Sequence, residues 1–286
     1  MSNDLNPLGE FLRARRERVT PEAAGIPVLG VRRVVGLRRE EVAMLSGISA
    51  DYYLRLEQGR DRNPSVQVLE SIARVLQLDD NSRDYLLGLA VERPRRARRP
   101  RKETVPDGVQ KLLAALPLPA FVEGRYLDVL AANPLATALS PRLTVGANRL
   151  RDVFLDPAEI AMFPNWDGAT AGLVAGFRKS VGTDIDDPRL IELVGELSLA
   201  SPRFRELWAR HDVGLRQGAA IRFIHPQVGE ISLNREKLAV GGAENLVVAV
   251  YHADPGTTDA DKLALLASAM LPVRDVTVAR TSPSEY

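Results

Sequence analysis

The stretch from Gly36 to Arg60, GLRREEVAMLSGISADYYLRLEQGR, is the strongest constraint in this chain, because it fits two short helices joined by one tight glycine turn. Val42 and Leu45 recur at the spacing of a single buried helical face, and Ala43 is small enough for a neighbour to approach closely. Gly47 can supply the left-handed backbone that the corner needs, with Ile48 plugging the space beneath it. Ser49 is a good cap for the second helix. With Tyr53 and Leu56 turned inward, Ala50, Asp51, Tyr52 and Arg55 share an outward face that a DNA major groove could accept.

The charge distribution points to the same partner. Within a net formal charge of +1, residues 1–105 carry 20 Lys/Arg against 15 Asp/Glu and the remainder carries 18 against 22. The basic part coincides with the two-helix motif, where phosphate would lie. The basic part ends in Arg93–Lys102, RPRRARRPRK, whose seven cations, interrupted by proline and lacking an apolar face, read as an interdomain linker. The same cations could track phosphates or enter a minor groove. If they do, replacing the arginines with glutamine flattens the salt dependence of binding by about 0.9 in log-log slope for each phosphate that is no longer neutralised. An unchanged slope leaves the segment a hinge.

The segment Gly36–Arg60, with its Leu56-Glu57-Gln58-Gly59-Arg60 ending and the Pro64-Ser65 start of a further helix, resembles the helix-turn-helix of Xre and lambda-repressor-like DNA-binding domains. Leu8 to Arg18 would be the first helix of that all-α domain, and Val66, Leu69, Ile72, Ala73, Leu76 and Leu78 carry the fourth, so the resemblance spans about residues 8–90. Thr20–Val35 departs from the compact pattern; Pro21, Gly25, Pro27 and Gly30 favour a loop there over a wing against DNA. Double-stranded operator DNA is the implied partner. Arg38, Arg39, Arg60 and Arg62, near the helix ends, are the expected phosphate contacts, and Ser49, Ala50, Asp51, Tyr52 and Arg55 the groove-facing residues. Arg55 is the best base reader; Tyr52 could meet a thymine methyl or a phosphate, and Asp51 either accepts from cytosine or serves the helix dipole. One such module binds weakly. A homodimer reading half-sites about 34 Å apart, or a multiple of that, is therefore expected.

Past the linker, Ala120-Phe121-Val122 and Tyr126–Asn133 read as two strands around a Glu123-Gly124-Arg125 turn, followed by a helix over Pro134–Leu139. Helices are expected at 157–163, 167–182, 187–200 and 202–211, the last with Ser201 as cap and Pro202 in its first turn. Strands return at 219–225, 229–240 and 245–253, and a final helix at 259–270. The whole is a mixed α/β domain with an antiparallel sheet. Its strand, turn, strand, Asn and helix opening resembles PAS-type sensor domains. The segments Asn165-Trp166-Asp167, Phe177-Arg178, Ser201–Phe204, Leu207–Val213, His225–Glu230 and Tyr251–Gly256 resemble the C-terminal domain of MmyB-like regulators over about residues 106–270. That resemblance implies a PAS-like domain holding a small apolar ligand such as a fatty acid. Trp166, Phe177, Phe204, Trp208, His225 and Tyr251 are the candidate lining residues, although ordinary packing is the first expectation for the aromatics. Arg178, after the apolar Leu173, Val174 and Phe177, is the candidate partner for a ligand carboxylate, against the plainer role of a surface ion pair.

The expected layout is a DNA-binding domain over 1–92, a linker over 93–105, a ligand-binding domain over 106–275 and a tail over 276–286. Absence of cysteine excludes disulfides and thiolate chemistry and fits the cytoplasm, where a nucleoid-associated regulator would work. No apolar run of membrane-spanning length or signal peptide is visible, so no membrane partner is expected. His211, His225 and His252 are the only histidines, no zinc-protease, nucleophile-elbow, P-loop or dinucleotide pattern occurs, and neither an enzyme nor a metal or other cofactor is expected. A protein partner in place of a small ligand, or a histidine metal site, are the competing readings of the second domain. The flexible basic linker favours ligand coupling through dimer geometry over a rigid push between domains.

Overall fold

The computed structural model describes residues 6–28, 32–61, 63–90, 103–184, 186–214, 220–243 and 245–269. The linker at 93–102, Arg62 and the tail at 276–286 therefore lie outside the described residues.

Five helices form the N-terminal domain: α1 (Pro7–Arg16), α2 (Arg39–Ser46), α3 (Ala50–Glu57), α4 (Val66–Val75) and α5 (Asp80–Ala90). Side-chain caps set four of their starts, Asp79 before α5 among them, where it accepts from Ser82 N at 2.8 Å. Asn6 accepts from Gly9 N at 3.0 Å, Ser49 from Tyr52 N at 3.1 Å and Ser65 from Val68 N at 3.3 Å. Gly47 ends α2 at φ +70°, the left-handed corner that the sequence predicts. Gly9 serves another purpose: a β-carbon there would fall 2.1 Å from the Glu57 carbonyl, so its absence lets α1 lie against the end of α3.

Phe11, Leu12, Val42, Tyr53, Leu56 and Ile72 fill the centre of this domain. Two expected core positions do not. Leu45 is exposed, because α2 turns Val42, Ala43 and Ser46 inward instead, and Val66 is exposed in the first turn of α4. The described part of Thr20–Val35 forms turns without helix or strand. It is braced by Gln77 Nε2 donating to Ala23 O at 2.7 Å and by Arg32 forked onto Glu41 at 2.7 and 2.8 Å.

The second domain runs α6 (Asp107–Ala115), β1 (Ala120–Glu123), β2 (Val129–Ala132), α7 (Pro134–Leu139), α8 (Arg149–Leu155), α9 (Pro157–Ala161), α10 (Trp166–Val181), α11 (Pro188–Ala200), α12 (Pro202–Ala209), β3 (Ile221–His225), β4 (Gly229–Ala239), β5 (Val247–His252) and α13 (Thr258–Ala269). The five strands make one antiparallel sheet in the order β2-β1-β5-β4-β3. Alternation divides its faces. Phe121, Ala249, Tyr251, Phe223 and Ile231 join the main helical core, while Ala120, Val122 and Val248 pack with Leu113 of α6 on the other side. Asn133 fastens the opening: its Oδ1 accepts from Ala120 N at 3.1 Å and Ala136 N at 2.9 Å, and its Nδ2 donates to Leu118 O at 2.7 Å.

Two sequence expectations change here. The second strand starts at Val129 rather than Tyr126, because the chain is still turning at Leu127, with φ +61° and its N–H on Gly124 O at 3.0 Å. The helices α6 and α8 have no counterpart among the helices expected from sequence, although Asn148, which caps Leu150 and Arg151, is a start signal for α8.

Candidate nucleic-acid interface and ligand site

The N-terminus of α3 presents Ala50 and Asp51 to solvent, with Tyr52 and Arg55 half-buried beside them. These side chains are already linked. The Arg55 guanidinium pairs with Asp51 one turn earlier and lies 5.5 Å over the Tyr52 ring. An exposed pair of this kind contributes only about 0.3–0.5 kcal/mol, so Arg55 can exchange Asp51 for a guanine edge at little cost. Ser49 spends its hydroxyl on the cap. Arg38, just before α2, and Arg60, just after α3, are exposed.

Arg39, an expected phosphate contact, is also engaged within the protein. Its Nε donates to Glu57 Oε2 at 2.6 Å, and Arg16 Nε donates to the other oxygen at 2.6 Å. Glu57 is wholly buried. Burial alone would raise its pKa, but the hydrogen bonds and charges of Arg16 and Arg39 outweigh that and hold the carboxyl below its ordinary value. Arg39 keeps an exposed edge and lines, with Arg16 and Arg38, a depression of about 540 Å³ beside the start of α2. Glu57 is absent from the site residues expected from sequence; the signal for its inward position is its place four residues after Tyr53.

In the second domain four of the five candidate aromatics, Trp166, Phe177, Phe204 and Trp208, are brought together with Phe154 as one packed series. Phe204 meets Phe154 edge-on at 5.3 Å and stacks on Trp208 at 5.9 Å, which lies 5.6 Å from Phe177. Trp166 packs against Phe154 at 6.0 Å and donates to Val153 O at 2.9 Å. Tyr251 sits across the sheet between Phe121 and Phe223, at 6.3 and 5.7 Å. His225 stands apart at the β3–β4 turn. Its Nδ1 accepts from Gln227 N at 3.2 Å and its Nε2 lies 2.9 Å from Ala138 O, so both nitrogens are spent on the backbone and neither is left for a ligand.

Arg178 is not in a surface ion pair. It is 4 % exposed, lies 3.8 Å over the Trp208 ring and donates to the Trp208 carbonyl. Its Nε is buried without a partner, and among the described residues no carboxylate pairs with it. Desolvation lowers its pKa. Elsewhere in the domain the buried Arg149 meets Glu159 at 2.9 Å and the half-buried Lys237 meets Glu123. Among the described residues no group of three or more histidines and acids is placed to hold a metal, and no helix is long and apolar enough to cross a membrane.

A two-domain regulator is the class that this arrangement defines, with an exposed recognition helix in front and a separate α/β domain behind. Residues 105–266 match the family model of the MmyB-like transcription regulator ligand-binding domain, and residues 7–86 match a helix-turn-helix domain. The chain belongs to the MmyB-like transcription regulators. No match to a curated protein is found.

Proposed function

We propose that this DNA-binding regulator works as a cytoplasmic homodimer whose C-terminal domain binds a small apolar ligand with an anionic head, such as a fatty acid, and thereby alters operator binding. No catalytic step belongs to this reading. The strand order β2-β1-β5-β4-β3, with helices gathered on the Phe121–Tyr251 face, supports a PAS-like sensor. Arg178 is the observation that carries the ligand reading. Among the described residues its guanidinium is buried with neutral partners alone, including the Trp208 carbonyl and ring and His211, and its Nε has none, so an incoming carboxylate would supply the missing counter-charge. The adjoining aromatic series offers an apolar environment for the rest of the molecule.

On the DNA side, Arg55 reads a base, Arg38 and Arg60 hold phosphates, and Arg39 is positioned by Glu57. Solvent extraction of the native protein followed by mass spectrometry tests the ligand. A stoichiometric acyl compound supports the sensor, and its absence favours a protein partner for this domain. Footprinting across the genome, with and without the extracted compound, tests the regulatory part.

A further inference from the structure

The two domains touch at a seam that the linker sequence does not foretell. His211–Gly214, directly after α12, leave the ligand-binding domain and enter the DNA-binding one. Val213 is buried among the side chains of the helix-turn-helix core. Asp212 takes Arg15 of α1 at 2.7 Å and also Arg18. His211 stands edge-on to Phe11 at 6.3 Å.

The same four residues are tied back to α10. Gly214 N donates to Ala175 O at 3.0 Å, and Arg178 reaches His211 Nδ1 at 3.3 Å while holding the Trp208 carbonyl. Two further contacts flank them: Lys179 donates to Asn81 of α5 at 2.7 Å, and Tyr85 of α5 faces the Arg178 guanidinium.

We propose that His211–Gly214 is a clasp by which the ligand-binding domain fixes the position of the helix-turn-helix domain, and that displacing Trp208 opens it. The opening rests on the second domain being a ligand-binding one. Its interior is occupied by close-packed rings, so an apolar molecule enters only by moving one of them. Trp208 is half-buried and touches both Phe204 and Phe177, which are wholly buried, so of these three rings it is the one that solvent reaches. A swing of the Trp208 side chain removes the ring under Arg178 and leaves the guanidinium held at this residue by the backbone carbonyl alone. It also pulls on the last turn of α12, only four residues before Asp212. Displacement inside one domain is thereby delivered to α1 of the other through a single turn of chain, and the placement of α3 follows α1 because Glu57 and Arg16 are locked together.

Hydrogen exchange on the full chain tests this. Asp212→Ala should raise exchange in α1 and α5 by about tenfold while the sheet and α11 keep wild-type protection. Trp208→Ala should give the same pattern without any ligand, and Trp208→Phe, which keeps a ring and folds if the alanine variant does not, should give a weaker form of it. Wild-type exchange of α1 and α5 in Asp212→Ala would overturn the clasp. A closed seam in the folded Trp208 variants would overturn its opening. A separate arm adds palmitic acid and follows its binding by native mass spectrometry. Failure to bind counts against the fatty-acid reading alone, whereas binding without increased exchange in α1 and α5 counts against the opening.

Discussion

Glu57 at the end of α3 and Arg39 at the start of α2 are joined at 2.6 Å, so the two motif helices are locked by an ion pair as well as by their apolar faces. Arg16 completes the lock from α1 at the same distance. Glu57→Ala should therefore strand the buried Arg16, release the half-exposed Arg39 and destabilise the domain by about 3 kcal/mol. Urea denaturation of the full chain reads this as a lower midpoint. Because the Glu57 carboxyl is held below its ordinary value, its contribution is present above the unfolded pKa and lost as pH falls through the folded one. Glu57→Gln should erase that acid dependence.

Arg55 should decide sequence preference. Its replacement by alanine costs about 1–3 kcal/mol of discrimination between operator and mismatched DNA, while binding to random duplex changes little. Competition binding measures the ratio. Equal weakening on both DNAs would reassign Arg55 to phosphate.

His211 should make stability sensitive to mild acid. Burial first, then Arg178 and Arg15, push its pKa down to about 3, with Asp212 opposing them. The native state therefore keeps His211 neutral where the unfolded chain takes up a proton near pH 6.5, so stability is full above that pH and declines as pH falls toward 3. His211→Asn suits the left-handed backbone, at φ +52°, and should flatten the decline between about pH 6.5 and 5, a window above the titration of ordinary carboxylates. Melting temperature against pH shows the difference.

Asp152 should be a removable burden at neutral pH. Burial pushes its carboxyl up to about 6 against the pull of Arg149, and Oδ2 has no partner. A raised carboxyl favours the native state below the unfolded pKa and costs stability as pH rises through the folded one. Asp152→Asn should gain on the order of 1 kcal/mol at pH 7, with solvent screening keeping the figure small, and nothing near pH 3.5. Melting curves at the two pH values provide the comparison.

Local chemistry explains what the sequence reveals. Gly47, Ser49, Ser65, Ser201 and Pro202 act within their own turns, and the helix at Pro134–Leu139 and the strands around Phe223, Ile231 and Tyr251 follow from alternation and breakers over a few residues. Leu45 shows where that ends. Periodicity identifies a stripe, but which edge of the stripe turns inward depends on α4 packing against α2. Short helices such as α8 are similarly weak signals, because one or two turns hold too few residues to establish a period.

The sequence by itself determined a helix-turn-helix with an outward Arg55, an antiparallel α/β domain behind it and a basic stretch between them, since caps, turns and side-chain alternation act over short distances. Only the tertiary structure decided that Arg39 is gripped by Glu57, that Arg178 is buried on Trp208, and that Asp212 reaches back to Arg15. These partners stand 18, 30 and 197 residues apart, and burial and charge pairing across such separations exist only once the chain has closed on itself.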